Sequence, residues 1–185
     1  MKIAVYCSSC EGLDNSYVEM AAQLGQWLGR NRHTLVYGGV KAGLMHVVAQ
    51  NTHDCGARVV GVNIEAFRHR VDSEVVDETI VTRDLSERKS RMIELSDAFV
   101  VLPGGLGTID EWIATLSQLV VNGDTRRGVI IANVNGMYDA QLAQLRQMAA
   151  SPFARGKHIM ELCLEAKNTS EMIELLTNYG KCYEK

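Results

Sequence analysis

The chain reads as an α/β protein, a Rossmann-like three-layer sandwich with a mainly parallel central sheet. Three observations predict this. Short apolar runs alternate along the chain with stretches whose apolar residues recur at helical spacing. The runs are continuously apolar rather than alternating, as expected for strands covered on both faces. Small-residue or glycine turns follow three of the strands, at residues 7–12, 38–43 and 103–107. In such a sheet ligands bind beyond the carboxyl ends of the strands, so these turns should converge on one place.

In chain order, residues 3–6 predict a first strand and residues 7–12 a small-residue loop. Ala21, Leu24 and Leu28 predict a helix from Tyr17 to about Asn31, and residues 34–37 a second strand. A helix follows Gly43, with Leu44, Val47, Val48 and Asn51 on one side, and residues 58–62 form a third strand. Residues 64–77 lack periodicity and predict an irregular lobe, closed by a short strand at 78–81. A helix spans 84–96, the most apolar strand 98–102, and a long helix runs from Thr108 to about Asn122. A strand at 128–132, a helix at about 138–149, a weak strand at 161–164 and a helix capped by Ser170 complete the chain. No repeat or linker interrupts residues 1–185, which predict one domain.

Composition narrows the function. With 46% apolar and 22% charged residues the chain is an ordinary globular sequence, and a net charge of −3 favours neither nucleic acid nor membrane. No run approaches the ~20 apolar residues of a membrane span, and residues 1–6 are too short and strand-like for a signal peptide. The five cysteines lack framework spacing. Cys7 and Cys10 could be redox-active or half of a zinc site, but no second ligand pair exists, and reduced cytoplasmic thiols are expected. No metal or cofactor is predicted. Gly38, Gly39 and Gly43 match neither a dinucleotide fingerprint nor a Walker A loop; they serve either tight turns or ligand contact.

Pro103-Gly104-Gly105-Leu106-Gly107-Thr108 lies between the apolar strand and the long helix. Glycines let backbone N–H groups approach an anion, and a helix N-terminus adds orphan donors and a positive dipole end. Gly104, Gly105, Gly107 and Thr108 are therefore candidate phosphate ligands. Glu111 would sit one turn inside that anion site, where it either acts on the ligand or closes a capping box with Thr108. On the preceding helix, Arg88 and Lys89 fall within the stripe of Leu85, Met92, Ile93 and Ser96. Cations on an inward face either snorkel to solvent or need a partner: a structural ion pair, an anionic ligand or Glu111. Asp110 points ~100° away from Glu111 around the helix, which disfavours an acid/base dyad of the two.

Residues 102–111, with Arg88-Lys89 upstream, resemble the P-G-G-x-G-T-x-x-E and Arg-Lys motifs of the LOG (LONELY GUY) family. Cys7-Ser8-Ser9, Tyr37-Gly38-Gly39 and Gly43-Leu44-Met45 are similar to its first and second turns. The chain departs from the family pattern at Val40, His46, Leu85-Ser86 and Asn63-Ile64. The resemblance implies hydrolysis of the N-glycosidic bond of a purine riboside 5′-monophosphate, of cytokinin or AMP type. It implies catalysis by Arg88 and Glu111, with substrate contacts from Ser9, Gly39, Met45, Lys89, Gly104, Gly105, Gly107 and Thr108. An arginine stays protonated at any working pH, so Arg88 is expected to act by charge and hydrogen bonding rather than as a proton donor. The rival expectation is a non-catalytic carrier of a nucleotide or of molybdenum cofactor. Apolar residues on several sides of the 108–122 helix (Trp112, Ile113, Leu116, Leu119, Val120, Val121) predict a homodimer.

Overall fold

The computed structural model describes residues 1–152 and 159–183, with side chains to residue 180. Its strands are β1 (Lys2–Tyr6), β2 (Thr34–Tyr37), β3 (Val59–Ile64), β4 (Glu78–Thr82), β5 (Ala98–Val101), β6 (Val129–Ala132) and β7 (Cys163–Ala166). They form one sheet in the order β4-β3-β2-β1-β5-β6-β7. Every pairing in it is parallel, so the expected mainly parallel sheet is wholly so.

Alternate residues of each strand face opposite layers. Ile3 and Val5 pack with α1 (Asn15–Arg30), α2 (Gly43–Asp54) and α7 (Thr169–Tyr183). Ala4 and Tyr6 pack with α3 (Leu85–Leu95), α4 (Leu106–Val121), α5 (Asp139–Ala149) and the short α6 (Ile159–Leu162). These two cores make the three layers. The strand order reverses direction at β1, between β2 and β5, and a crevice opens there above the sheet. Its rims are tied together: Ser8 N donates to Pro103 O (3.2 Å) and Met45 N to Ser8 O (3.3 Å).

Several boundaries differ from expectation. α1 begins two residues early because Asp14 caps it, its Oδ1 accepting from Ser16 N at 2.8 Å. The last strand is Cys163–Ala166 because residues 159–162 make a helical turn first. Asn168, not Ser170, caps α7, accepting from Glu171 N at 2.9 Å while Glu171 accepts back from Lys167 N at 2.8 Å.

The expected irregular lobe is a 3₁₀ helix (Glu65–Arg70) followed by a stretch clasped to the turn after β2. Val71 bridges Val40 in antiparallel sense, Lys41 N donates to Arg70 O (3.0 Å) and Asp72 N to Gly39 O (3.1 Å). His46 Nδ1 meets the fully buried Asp72 Oδ2 at 2.6 Å, and Lys41 meets Glu74 at 2.5 Å. Val40 and His46, two of the departures noted in the sequence, are thus clasp residues. Among the described residues no helix is long and apolar enough to cross a membrane.

Candidate active site

α3 and α4 set the two charged walls of the crevice. α3 starts at a capped turn: Asp84 Oδ1 accepts from Glu87 N (2.8 Å), and Glu87 Oε2 reaches past the cap to accept from Arg83 N (2.9 Å). Met92 and Ile93 then fill the core, which fixes the rotation of the helix and turns Arg88 and Lys89 toward α4. Leu85, expected inward, is half exposed at the mouth of the crevice.

α4 begins at Leu106, two residues before expectation, with Gly105 as its N-cap and no capping side chain. Thr108 is therefore already inside the first turn, and of the two roles open to Glu111 the capping box with Thr108 does not form. The Glu111 carboxylate is left to reach across the crevice, where its Oε1 accepts from Arg88 Nη1 at 2.7 Å. Arg88 Nε also donates to Val62 O at the end of β3 (2.8 Å). The pair is nearly closed to water, with side-chain exposures of 11% for Arg88 and 6% for Glu111. Lys89 Nζ contacts both oxygens of Asp110 at 2.7 Å. Adjacent cations on α3 thus bind adjacent carboxylates on α4, and the expected separation of Asp110 from Glu111 is realised.

Burial pushes the Glu111 carboxyl above the ordinary glutamate range; the charge and hydrogen bond of Arg88 pull it only part of the way back. Burial likewise pushes the Cys7 thiol up, so this cysteine is a poor nucleophile. Cys7, Cys10, Cys55 and Cys163 are free thiols, and the side chain of Cys182 lies outside the described residues. Among the described residues no cluster of three or more His, Cys, Asp or Glu could hold a metal.

A cavity of about 370 Å³ lies over the carboxyl ends of β1, β2, β3 and β5, within the range of small-ligand sites. Of the residues singled out in the sequence, Ser9, Met45, Arg88, Lys89, Gly105, Gly107, Thr108 and Glu111 line it. Gly39 and Gly104 do not. Gly39 (φ +71°) turns toward β3, where a Cβ would come within 3.3 Å of Gly61 Cα. Gly104 stands behind the wall, its missing side chain replaced by that of Thr108, whose Cβ would lie 2.7 Å from one. Gly38 does line the cavity, for a reason the turn pattern did not reveal: a Cβ there would collide with the Arg88 guanidinium.

The cavity has further lining residues that the sequence did not single out. Phe67 and Arg70 come from the lobe, whose only forewarning was an aromatic and a cation three residues apart. Asn63, noted only as a departure, is buried at the end of β3 and faces the same space.

Residues 45–176 match the family model described as "Possible lysine decarboxylase". The chain is 34% identical over 191 residues to cytokinin riboside 5′-monophosphate phosphoribohydrolase LOG3 of Arabidopsis thaliana, covering all of this chain and 85% of that protein. It is 35% identical over 186 residues to the phosphoribohydrolase LOG of Oryza sativa subsp. japonica, covering 99% of this chain and 75% of that protein. Among solved structures it is similar to the molybdenum cofactor carrier protein of Chlamydomonas reinhardtii, with a TM-score of 0.74, 20% identity and 96% coverage of both chains. The molybdenum cofactor binding protein of Rippkaea orientalis superposes with a TM-score of 0.72 at 23% identity, covering 96% of this chain and 95% of that one. At such identities the two carriers share the fold.

Proposed function

Since the chain belongs to the LOG family, we propose that it is a phosphoribohydrolase that releases the free base from a purine riboside 5′-monophosphate of AMP or cytokinin type. The observation that carries this reading is the buried Arg88–Glu111 pair, 2.7 Å apart, lining the same cavity as an uncapped helix N-terminus.

The 5′-phosphate sits on the first-turn N–H groups of α4 and the Thr108 hydroxyl, where the dipole end favours an anion. Binding energy from this non-reacting group orients the ribose over Glu111. As the N-glycosidic bond breaks, its electron pair leaves with the base and positive charge grows on the ribose ring. The Glu111 carboxylate faces that charge and stabilises it, as carboxylates do in glycoside cleavage. Water adds to the anomeric carbon, the base takes up a proton from water, and ribose 5-phosphate remains. Arg88 favours the ionised form of Glu111 against the opposing effect of burial and orients the carboxylate.

The experiment incubates pure protein with AMP and related purine 5′-monophosphates and measures free base. Release that Glu111→Gln abolishes is the expected result. Tight nucleotide binding with no release from any of them would instead mark a carrier. A homodimer belongs to the same proposal: Leu106, Ile113 and Val121 leave α4 with an exposed apolar flank, while Trp112, Leu116 and Leu119 are buried within the chain. Sedimentation at micromolar concentration tests it, a clean monomer being the contrary result.

A further inference from the structure

Two glycines follow β2, and their backbones make different demands. Gly39 takes a φ of +71°, where glycine is favoured. Gly38 has no positive φ, so its backbone dihedral gives no reason for a glycine there. The reason lies in the space beside it. A Cβ on Gly38 would run into Arg88 Nη2 and stand 2.9 Å from Met45 Cε. The methionine end is flexible and can move aside. The guanidinium is held on two other sides: Nε donates to Val62 O (2.8 Å) at the end of β3, and Nη1 to Glu111 Oε1 (2.7 Å) on α4. Its side chain is only 11% exposed. A guanidinium is a rigid planar fork, so a side chain that displaces Nη2 also draws Nη1 away from Glu111.

Few charged or titratable groups face the Glu111 carboxylate. Arg88 and Lys89 come from α3, Asp110 from its own helix, and Tyr6 and Cys7 from β1. Lys89 is engaged by Asp110. Burial pushes the Tyr6 hydroxyl and the Cys7 thiol up, which keeps both neutral. Arg88 is therefore the main offset to the burial of Glu111.

We propose that Gly38 is a positioning residue of this site: its missing side chain is the space in which the Arg88 guanidinium is held against Glu111, so the turn after β2 sets the geometry of a pair carried by α3 and α4. The rate measurements below rest on the phosphoribohydrolase reading; the stability measurements do not. The test makes Gly38→Ala alone and in an Arg88→Lys background, where the ammonium keeps a cation but has no counterpart of Nη2. Gly38→Ala should lower the urea midpoint of the otherwise wild-type chain, and by less than half as much beside Arg88→Lys. If Gly38→Ala alone does not fold, the double variant should. Base release from the purine monophosphate cleaved best is then followed against pH. Gly38→Ala should lower kcat/KM and move its acid limb upward, with part of the lost activity returning as pH rises. An equal loss of midpoint in both backgrounds, or a double variant that stays unfolded, would overturn the proposal and leave Gly38 a turn residue. A raised KM with an unmoved acid limb would also overturn it and make Gly38 a ligand contact. No base release by the wild type would overturn the hydrolase reading alone, because the midpoints still decide what Gly38 positions.

Discussion

Arg88→Met is the substitution whose consequences the site defines most closely. It removes a guanidinium that donates to Glu111 Oε1 at 2.7 Å and to Val62 O at 2.8 Å. The methionine keeps most of the stem, so packing against α4 changes little. What remains is a carboxylate 6% exposed and without its cation. Breaking a buried pair from one side typically costs about 3–5 kcal/mol, and the lost bond to Val62 O adds to the same end. The double variant Arg88→Met/Glu111→Gln removes both charges and should recover about half or more of that loss, since the stranded charge is gone. Urea unfolding followed by tryptophan fluorescence reads the midpoints, with an unchanged m-value showing that the unfolded ensemble is comparable. A loss below about 1 kcal/mol for Arg88→Met, the range of exposed pairs, would refute the description of this pair as a buried, mutually dependent unit. So would a double variant no more stable than the single one.

The same carboxylate makes two pH predictions. Base release needs Glu111 ionised, so the acid limb of kcat/KM should lie above the ordinary glutamate value of 4.5, and Arg88→Met should move any residual limb further up. For stability the sign is opposite to that of an ordinary paired carboxylate. Between the ordinary and the raised value the folded chain holds more protons than the unfolded one. Glu111 therefore stabilises most below 4.5, and that contribution is lost as pH rises through the folded value. The stability of Glu111→Gln relative to wild type should accordingly increase across that window and level off above it; a flat difference in pH-series unfolding would contradict this. Two neighbouring glycines should separate packing from binding. Gly104→Ala drives a Cβ into Thr108 and costs about 1–3 kcal/mol, whereas Gly105→Ala has open space, stays within about 0.5 kcal/mol of wild type and raises KM. Finally, His46→Gly should loosen the clasp on Asp72, read as faster hydrogen exchange across residues 65–77 with the rest of the sheet unchanged.

Much of this molecule was legible in the sequence. The central strands were, because β1, β2, β3, β5 and β6 are short, largely apolar runs buried on both faces; the edge strands β4 and β7 are less buried, and β7 starts two residues later than expected. The crevice was, because a parallel sheet places its turns at one edge. The N-terminus of α4 was misread for a physical reason. Thr108-Ile109-Asp110-Glu111 has the spacing of a capping box, but a glycine cap starts the helix two residues sooner, and a buried cation outcompetes the backbone for Glu111. The lobe escaped because its order comes from elsewhere: Val71 and Asp72 are held by Val40, Gly39 and His46, roughly thirty residues away, so no local period records it. Gly38 was read as either a tight turn or a ligand contact, yet what requires a glycine there is the path of an arginine fifty residues downstream. The residues at the far end of the cavity, Phe67 and Arg70, sit in that lobe and were missed with it.

The clasp divides the labour of the crevice between two kinds of scaffold. The charged pair rides on two helices whose rotations are fixed by the core, so its geometry can vary little without unfolding the chain. The far wall rides on a segment whose first half, residues 65–74, is fastened by one bridge, two ion pairs and a few backbone bonds, and which reaches the core only at Val75 and Val76. Substitutions at the exposed residues 65–70 can therefore accumulate while the bond-breaking end stays as it is. A lineage built on this plan is free to change which molecule it recognises long before it changes what it does to it.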